Sequence, residues 1–190
     1  MHNDIKPENI LVGLVDPSVV YLIDFGLSIK YKNEDGTHIL KEDLKKFSGN
    51  LKFASLNSCR GYNKSRRDDI QSIIFVMVYL INNSSLPWSD LHKKFKGRQY
   101  EFKELVKERL KVEYVKELFE VCPKPFKKFV KNILVLQFEE EPNYDFYISK
   151  LQKEVDKLPN NGFEWVNMNH NMIDRNEGSL SRQMRMNHSQ

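Results

Sequence analysis

The sequence predicts a mainly α-helical domain carrying one small β-hairpin near its start, and three observations predict it. Two short apolar runs, Ile10-Leu11-Val12 and Val19-Val20-Tyr21-Leu22-Ile23, flank a cluster of Gly, Asp, Pro and Ser that opens at Gly13, the pattern of a hairpin. From Asp68 to Ile81 an acidic start leads into a segment that is apolar nearly all round, as in a helix buried on most faces. Beyond the Leu86-Pro87-Trp88 break, apolar and charged residues alternate at helical spacing.

The elements follow in order. Residues 27–57 hold no sustained period and contain Asp35-Gly36 and Ser48-Gly49, which reads as a long surface loop. Residues 99–120 form a helical stretch, Pro125 opens a helix running to about Gln137, and Asn143 to Leu158 supplies a last amphipathic helix. From about Asn160 the composition shifts to Asn, Met, Ser, Arg and His, with Phe163, Trp165 and Val166 as apolar exceptions. The expected organisation is one domain over 1–166 and a disordered tail over 167–190.

With 190 residues, 40% of them apolar and 29% charged, the chain has the make-up of a single globular domain. The net charge of +4 comes from Lys and Arg scattered among acidic residues, so nucleic-acid binding is not expected. Cys59 and Cys122 lack CxxC spacing and a His cluster, which argues against a disulfide framework or zinc site. The polar start has no signal-peptide core, and no apolar run approaches the roughly 20 residues needed to cross a bilayer. The expectation is an intracellular protein, in cytoplasm and/or nucleus, without membrane contact.

The chemistry is concentrated in the first 26 residues. His2-Asn3-Asp4-Ile5-Lys6-Pro7-Glu8-Asn9 resembles the protein-kinase catalytic loop H-x-D-x-K-P-x-N, and Asp24-Phe25-Gly26 follows a strand where the metal-binding D-F-G belongs. D-F-G alone is a weak signal; both motifs in order, joined by a hairpin, are a specific one. The resemblance implies a catalytic role for Asp4, which accepts the proton of the substrate hydroxyl, and for Lys6, which reaches the γ-phosphate of ATP. It implies that Asn9 and Asp24 hold Mg²⁺, because that ion favours a few protein oxygens shared with phosphates. Leu11 and Ile23 fall where the floor of the adenine pocket lies, while His2 and Phe25 are expected to pack.

Downstream segments narrow the resemblance. Lys52-Phe53-Ala54-Ser55-Leu56-Asn57, Ser65-Arg66-Arg67-Asp68-Asp69-Ile70-Gln71-Ser72 and Ser85-Leu86-Pro87-Trp88 closely resemble the A-S-I-N, S-R-R-D-D-L-E-S and S-L-P-W segments of the casein kinase I family, and the likeness runs from His2 to about Trp165. It implies the kinase-like C-terminal lobe, protein Ser/Thr as acceptor, Asp69 as a buried acid bonded to the catalytic-loop backbone, and Lys52 and Arg98 as contacts for acidic or phosphorylated substrates. Asn3 in place of the Arg of H-R-D, Asp90 in place of a Gly and Gln99 in place of a Lys depart from the pattern and weaken the case for phosphate-bearing substrates.

The chain holds no G-x-G-x-x-G loop and no V-A-I-K-like Lys. The expectation is therefore weak ATP binding and little or no turnover by this chain alone, with part of the Ile73–Leu80 surface left uncovered. A non-catalytic, pseudokinase-like binding module is the alternative. Small-molecule kinases that share H-x-D and D-F-G are opposed by the Ala54-Ser55-Leu56-Asn57 and Ser65–Asp69 segments.

Overall fold

A computed structural model describes residues 1–95, 101–159, 162, 163 and 165. A 3-10 turn at Pro7–Asn9, begun by a proline whose fixed φ suits a first helical position, delivers the chain into strand β1, Ile10–Val12. Strand β2, Val20–Leu22, pairs with it antiparallel in the register Ile10 to Leu22, Leu11 to Tyr21 and Val12 to Val20. Val19, expected in the strand, belongs to the turn. Its carbonyl accepts from Gly13 N–H at 2.8 Å and its N–H donates to the Asp16 carbonyl at 3.1 Å. Position 13 requires glycine, since a Cβ there would sit 2.4 Å from the Asp16 carbonyl oxygen.

A second 3-10 turn, Phe25–Leu27, is followed by a long segment without a helix or a paired strand, as the sequence predicts. Isolated bridges, Lys32 with His38 and Asp43 with Tyr62, tie it down. It ends in a short helix that the sequence did not announce, α1, Leu56–Cys59. Ser55 caps it by accepting from Ser58 N–H at 3.0 Å. Four residues are one turn, too few for hydrophobic periodicity to register.

Helix α2, Arg66–Ile81, starts two residues earlier than predicted, because Asp68 reaches back to accept the Ser65 N–H at 2.7 Å and Ser65 serves as N-cap. Its Ile74, Phe75, Val76 and Val78 are buried among Phe53, Trp88, Tyr114, Leu118, Phe129, Val130 and Ile133. Phe75 meets the Trp88 ring edge-on with centroids 5.1 Å apart. Burial on most faces is therefore only partly realised: Ile73 is 38% and Leu80 60% exposed, in line with the expected uncovered surface.

The helical stretch expected over 99–120 is two helices, α3 over Phe102–Arg109 and α4 over Val112–Val121. The chain breaks between them at Lys111, whose ψ of 140 is extended, after the Leu110 N–H has bonded back to Val106 at 3.2 Å. Helix α5, Lys124–Leu134, stops short of the predicted Gln137, and α6 spans Tyr144–Val155, capped where Asn143 Oδ1 accepts from Phe146 N–H at 2.9 Å. Helix α5 packs along α2, and together they form the centre of the core. Cys59 and Cys122 are free and buried. Among the described residues no helix is long and apolar enough to cross a membrane. The expected tail over 167–190 lies outside the described residues.

Candidate active site

Two side chains from the first nine residues converge on the carboxylate of a third, Asp4. Lys6 Nζ donates to Asp4 Oδ2 at 2.5 Å, and Asn9 Nδ2 donates to the same oxygen at 3.2 Å and to the Asp4 carbonyl at 2.8 Å. The 3-10 turn at Pro7–Asn9 makes this possible by folding Asn9, which is buried, back toward Asp4. The hydrogen bond that Lys6 donates to Asp4, foremost, holds its amine above the ordinary pKa. Because Asn9 Nδ2 is committed to Asp4, the amide oxygen is what Asn9 can offer a cation.

Asp24 stands at the far end of the hairpin in the left-handed region, φ 62, a conformation that Asp tolerates better than most residues. Its Oδ1 accepts from Gly26 N–H at 3.3 Å. His2 connects the two motifs. Its ring nitrogen Nε2 lies 2.9 Å from the Ile23 carbonyl, and Nδ1 lies 3.3 Å from the Asp4 N–H. A carbonyl can only accept and an amide N–H can only donate, so the proton sits on Nε2. The His2 and Phe25 rings meet edge-on at 5.0 Å. Ile23 N–H donates to the Asn9 carbonyl at 2.9 Å, so the residue before Asp24 is tied to both ends of the catalytic loop.

Asp69 fixes the start of that loop: its carboxylate accepts the N–H groups of His2 at 2.7 Å and Asn3 at 2.9 Å. These are the bonds expected of it, although Asp69 is half-buried where the sequence suggested a buried acid. Asn3 has a left-handed φ of 70, and its side chain donates to the Leu27 carbonyl at 2.8 Å. One residue of this neighbourhood escaped the sequence reading. Lys64, 61 positions downstream, donates from Nζ to the Asn3 carbonyl at 2.7 Å. Nothing in the local sequence marks it out from the other lysines of the loops.

Along the hairpin, strand alternation and the register put Leu11, Tyr21 and Ile23 on one face. Leu11 is 48% and Ile23 36% exposed, which leaves an apolar strip beside the polar cluster. The Lys52 ammonium lies 4.1 Å from the centre of the Tyr79 ring, and its carbonyl accepts from Trp88 Nε1 at 2.6 Å. Arg98 lies outside the described residues. Among the described residues no group of three His, Cys, Asp or Glu side chains is gathered for a metal, so a cation at this site would rest on sparse oxygen donors.

An Asp held by a Lys and an Asn at a turn, coupled through a histidine to a second Asp after a strand, defines a protein kinase in its class of site, and residues 1–147 match the family model of the protein kinase domain. The chain belongs to that family. Within it the likeness is to casein kinase I: the chain is 35% identical over 158 residues to a probable casein kinase I homolog of Encephalitozoon cuniculi, a match covering 80% of this chain and 47% of that protein. The chain thus spans about half the length of the curated relative it matches.

Proposed function

We propose that this protein is a protein serine/threonine kinase of casein kinase I type, that residues 1–166 represent the C-terminal lobe of the kinase fold, and that ATP with Mg²⁺ is the phosphoryl donor. The observation that carries the reading is the convergence of Lys6 and Asn9 on Asp4 Oδ2. Asp4 accepts a hydrogen bond from the hydroxyl of a protein Ser or Thr and takes its proton as that oxygen bonds to the γ-phosphorus, while the bond from this phosphorus to the bridging oxygen breaks and ADP leaves. Lys6 turns its ammonium to the γ-phosphate oxygens, where charge accumulates. Asn9, through its amide oxygen, and Asp24, through its carboxylate, would hold Mg²⁺, which would neutralise phosphate charge. Leu11 and Ile23 provide the apolar floor for the base.

Bound Mg-ATP supplies the transferable phosphoryl group and the metal charge. The chain's part is to place the acceptor and neutralise the oxygens. On the resemblance alone, Lys52 and Arg98 face acidic or phosphorylated segments of protein substrates, and the protein works inside the cell, in cytoplasm and/or nucleus. A thermal melt of the chain with and without Mg-ATP tests the nucleotide part. The reading expects a rise in melting temperature that needs Mg²⁺ and disappears in Asp24→Ala; identical melts with and without Mg-ATP contradict it.

A further inference from the structure

The peptide that joins Asn3 to Asp4 is anchored at both ends, once by a residue that the kinase motifs do not contain. Its N–H, that of Asp4, faces His2 Nδ1 at 3.3 Å, and its carbonyl, that of Asn3, accepts from Lys64 Nζ at 2.7 Å. Rotation of this one peptide would swing the Asp4 side chain. The residue before it sits at a left-handed φ of 70, a conformation that needs holding.

The same ammonium stands beside the working carboxylate. A Cβ built on Gly49 would lie 3.2 Å from Lys64 Nζ, 3.6 Å from the Asn3 carbonyl oxygen and 3.9 Å from Asp4 Oδ1. Those three groups therefore gather around one point beside Gly49, whose φ of 101 favours glycine. Oδ1 is the Asp4 oxygen that Lys6 and Asn9 do not occupy. Lys64 is half-buried in a polar recess lined also by Asn50, Asp68, Asp69 and Ser72. Burial lowers its pKa, opposed by the carboxylates of Asp69, Asp68 and Asp4 and by the Cys59 thiol. A half-buried cation bonded to the Asn3 carbonyl, in the same recess as Asp4, is costly for a residue with no role.

We infer that Lys64 is a positioning residue for phosphoryl transfer: through the Asn3 carbonyl it fixes the peptide that presents Asp4, and it joins the catalytic loop to the segment leading into α2. The inference rests on the kinase reading for what Asp4 does, and on the two hydrogen bonds for what Lys64 does. Lys64→Met keeps the length of the stem and removes the donor, whereas Lys64→Arg keeps a donor.

The test compares the two variants with the unaltered 190-residue chain in Mg-ATP-dependent phosphate transfer to casein and in amide hydrogen exchange. Lys64→Met is expected to lower kcat about tenfold or more, as misplacement of a catalytic group does, with KM for ATP within about twofold. Lys64→Arg recovers most of that loss. In the exchange experiment, Lys64→Met speeds exchange at the Asn3 and Asp4 amides and leaves the Phe75–Val78 amides of α2 unchanged. Unaltered kcat in Lys64→Met, or loosening of α2 to the same degree as the loop, overturns the inference. If the unaltered chain transfers no phosphate, in keeping with the little or no turnover expected of it alone, Lys64 is judged by exchange alone: equal protection of Asn3 and Asp4 with and without the lysine overturns its positioning role.

Discussion

His2 Nε2–H donates to the Ile23 carbonyl at 2.9 Å, and through that bond the loop bearing Asp4 is tied to the strand end bearing Asp24. His2 is buried and also meets the Phe25 ring, so packing and hydrogen bonding are combined in one side chain. His2→Phe separates them, keeping an aromatic edge for Phe25 and deleting both ring hydrogen bonds. The expected cost is about 1–3 kcal/mol, because the Ile23 carbonyl loses its partner. Urea unfolding measures it; an unchanged midpoint would contradict the coupling.

Asp69 accepts two backbone N–H groups, those of His2 and Asn3. Asp69→Ala leaves both donors without that acceptor and should destabilise the domain by roughly 1–3 kcal/mol. Hydrogen exchange should show the loosening concentrated at residues 2–4, with α5 amides little changed. Uniform loosening of α5 and the loop would place Asp69 in the general fold.

Asp68 gives a pH dependence of definite sign. Burial, the largest influence, lifts its carboxyl above the ordinary value near 3.8, although hydrogen bonds from Ser55 and Ser65 act the other way. A folded pKa above the unfolded one contributes stability that is complete below the unfolded value and is lost as pH rises through the folded value. Asp68→Asn removes this titration. The stability of the variant relative to the parent should therefore climb as pH is raised from about 3 to about 8. A flat or falling difference across denaturation curves in that range would contradict the account.

Arg109 is fully buried, with its guanidinium 3.2 Å from the centre of the Trp88 ring and, among the described residues, no hydrogen-bond partner for Nε, Nη1 or Nη2. Burial pushes its pKa down to about 10. The ring offers a cation–π attraction, but an unpaired buried charge costs more than that contact returns. Arg109→Met, which fills similar space without charge, should raise stability by roughly 1 kcal/mol or more. A lower urea midpoint in the variant would show that the stacking on Trp88 prevails.

Much of this molecule is legible in its sequence, and what is not has physical reasons. Apolar runs mark the hairpin because β-branched and aromatic residues suit extended backbone, although both strands stand largely exposed, and α2 is visible because its apolar segment is long. The break between α3 and α4 at Lys111 is set by backbone geometry after Leu110, which no periodicity records. Asp4, Lys6 and Asn9, which the structure brings together, and Asp24 are legible as a pattern because the phosphoryl transfer proposed for them demands those residue types in that order. Lys64 is not, because its meaning arises only where the start of α2 is folded against Asn3. Lys52 shows the converse: a matching position in the sequence leaves open which partner its ammonium finds, here the Tyr79 ring.

Phosphate transfer from ATP to casein by the 190-residue chain, run beside Asp4→Asn and Asp24→Ala, tests the central claim most directly. The account predicts slow, Mg²⁺-dependent incorporation on Ser or Thr, reduced by about a hundredfold or more in Asp4→Asn and lost in Asp24→Ala. Incorporation that survives unchanged in both variants would contradict it.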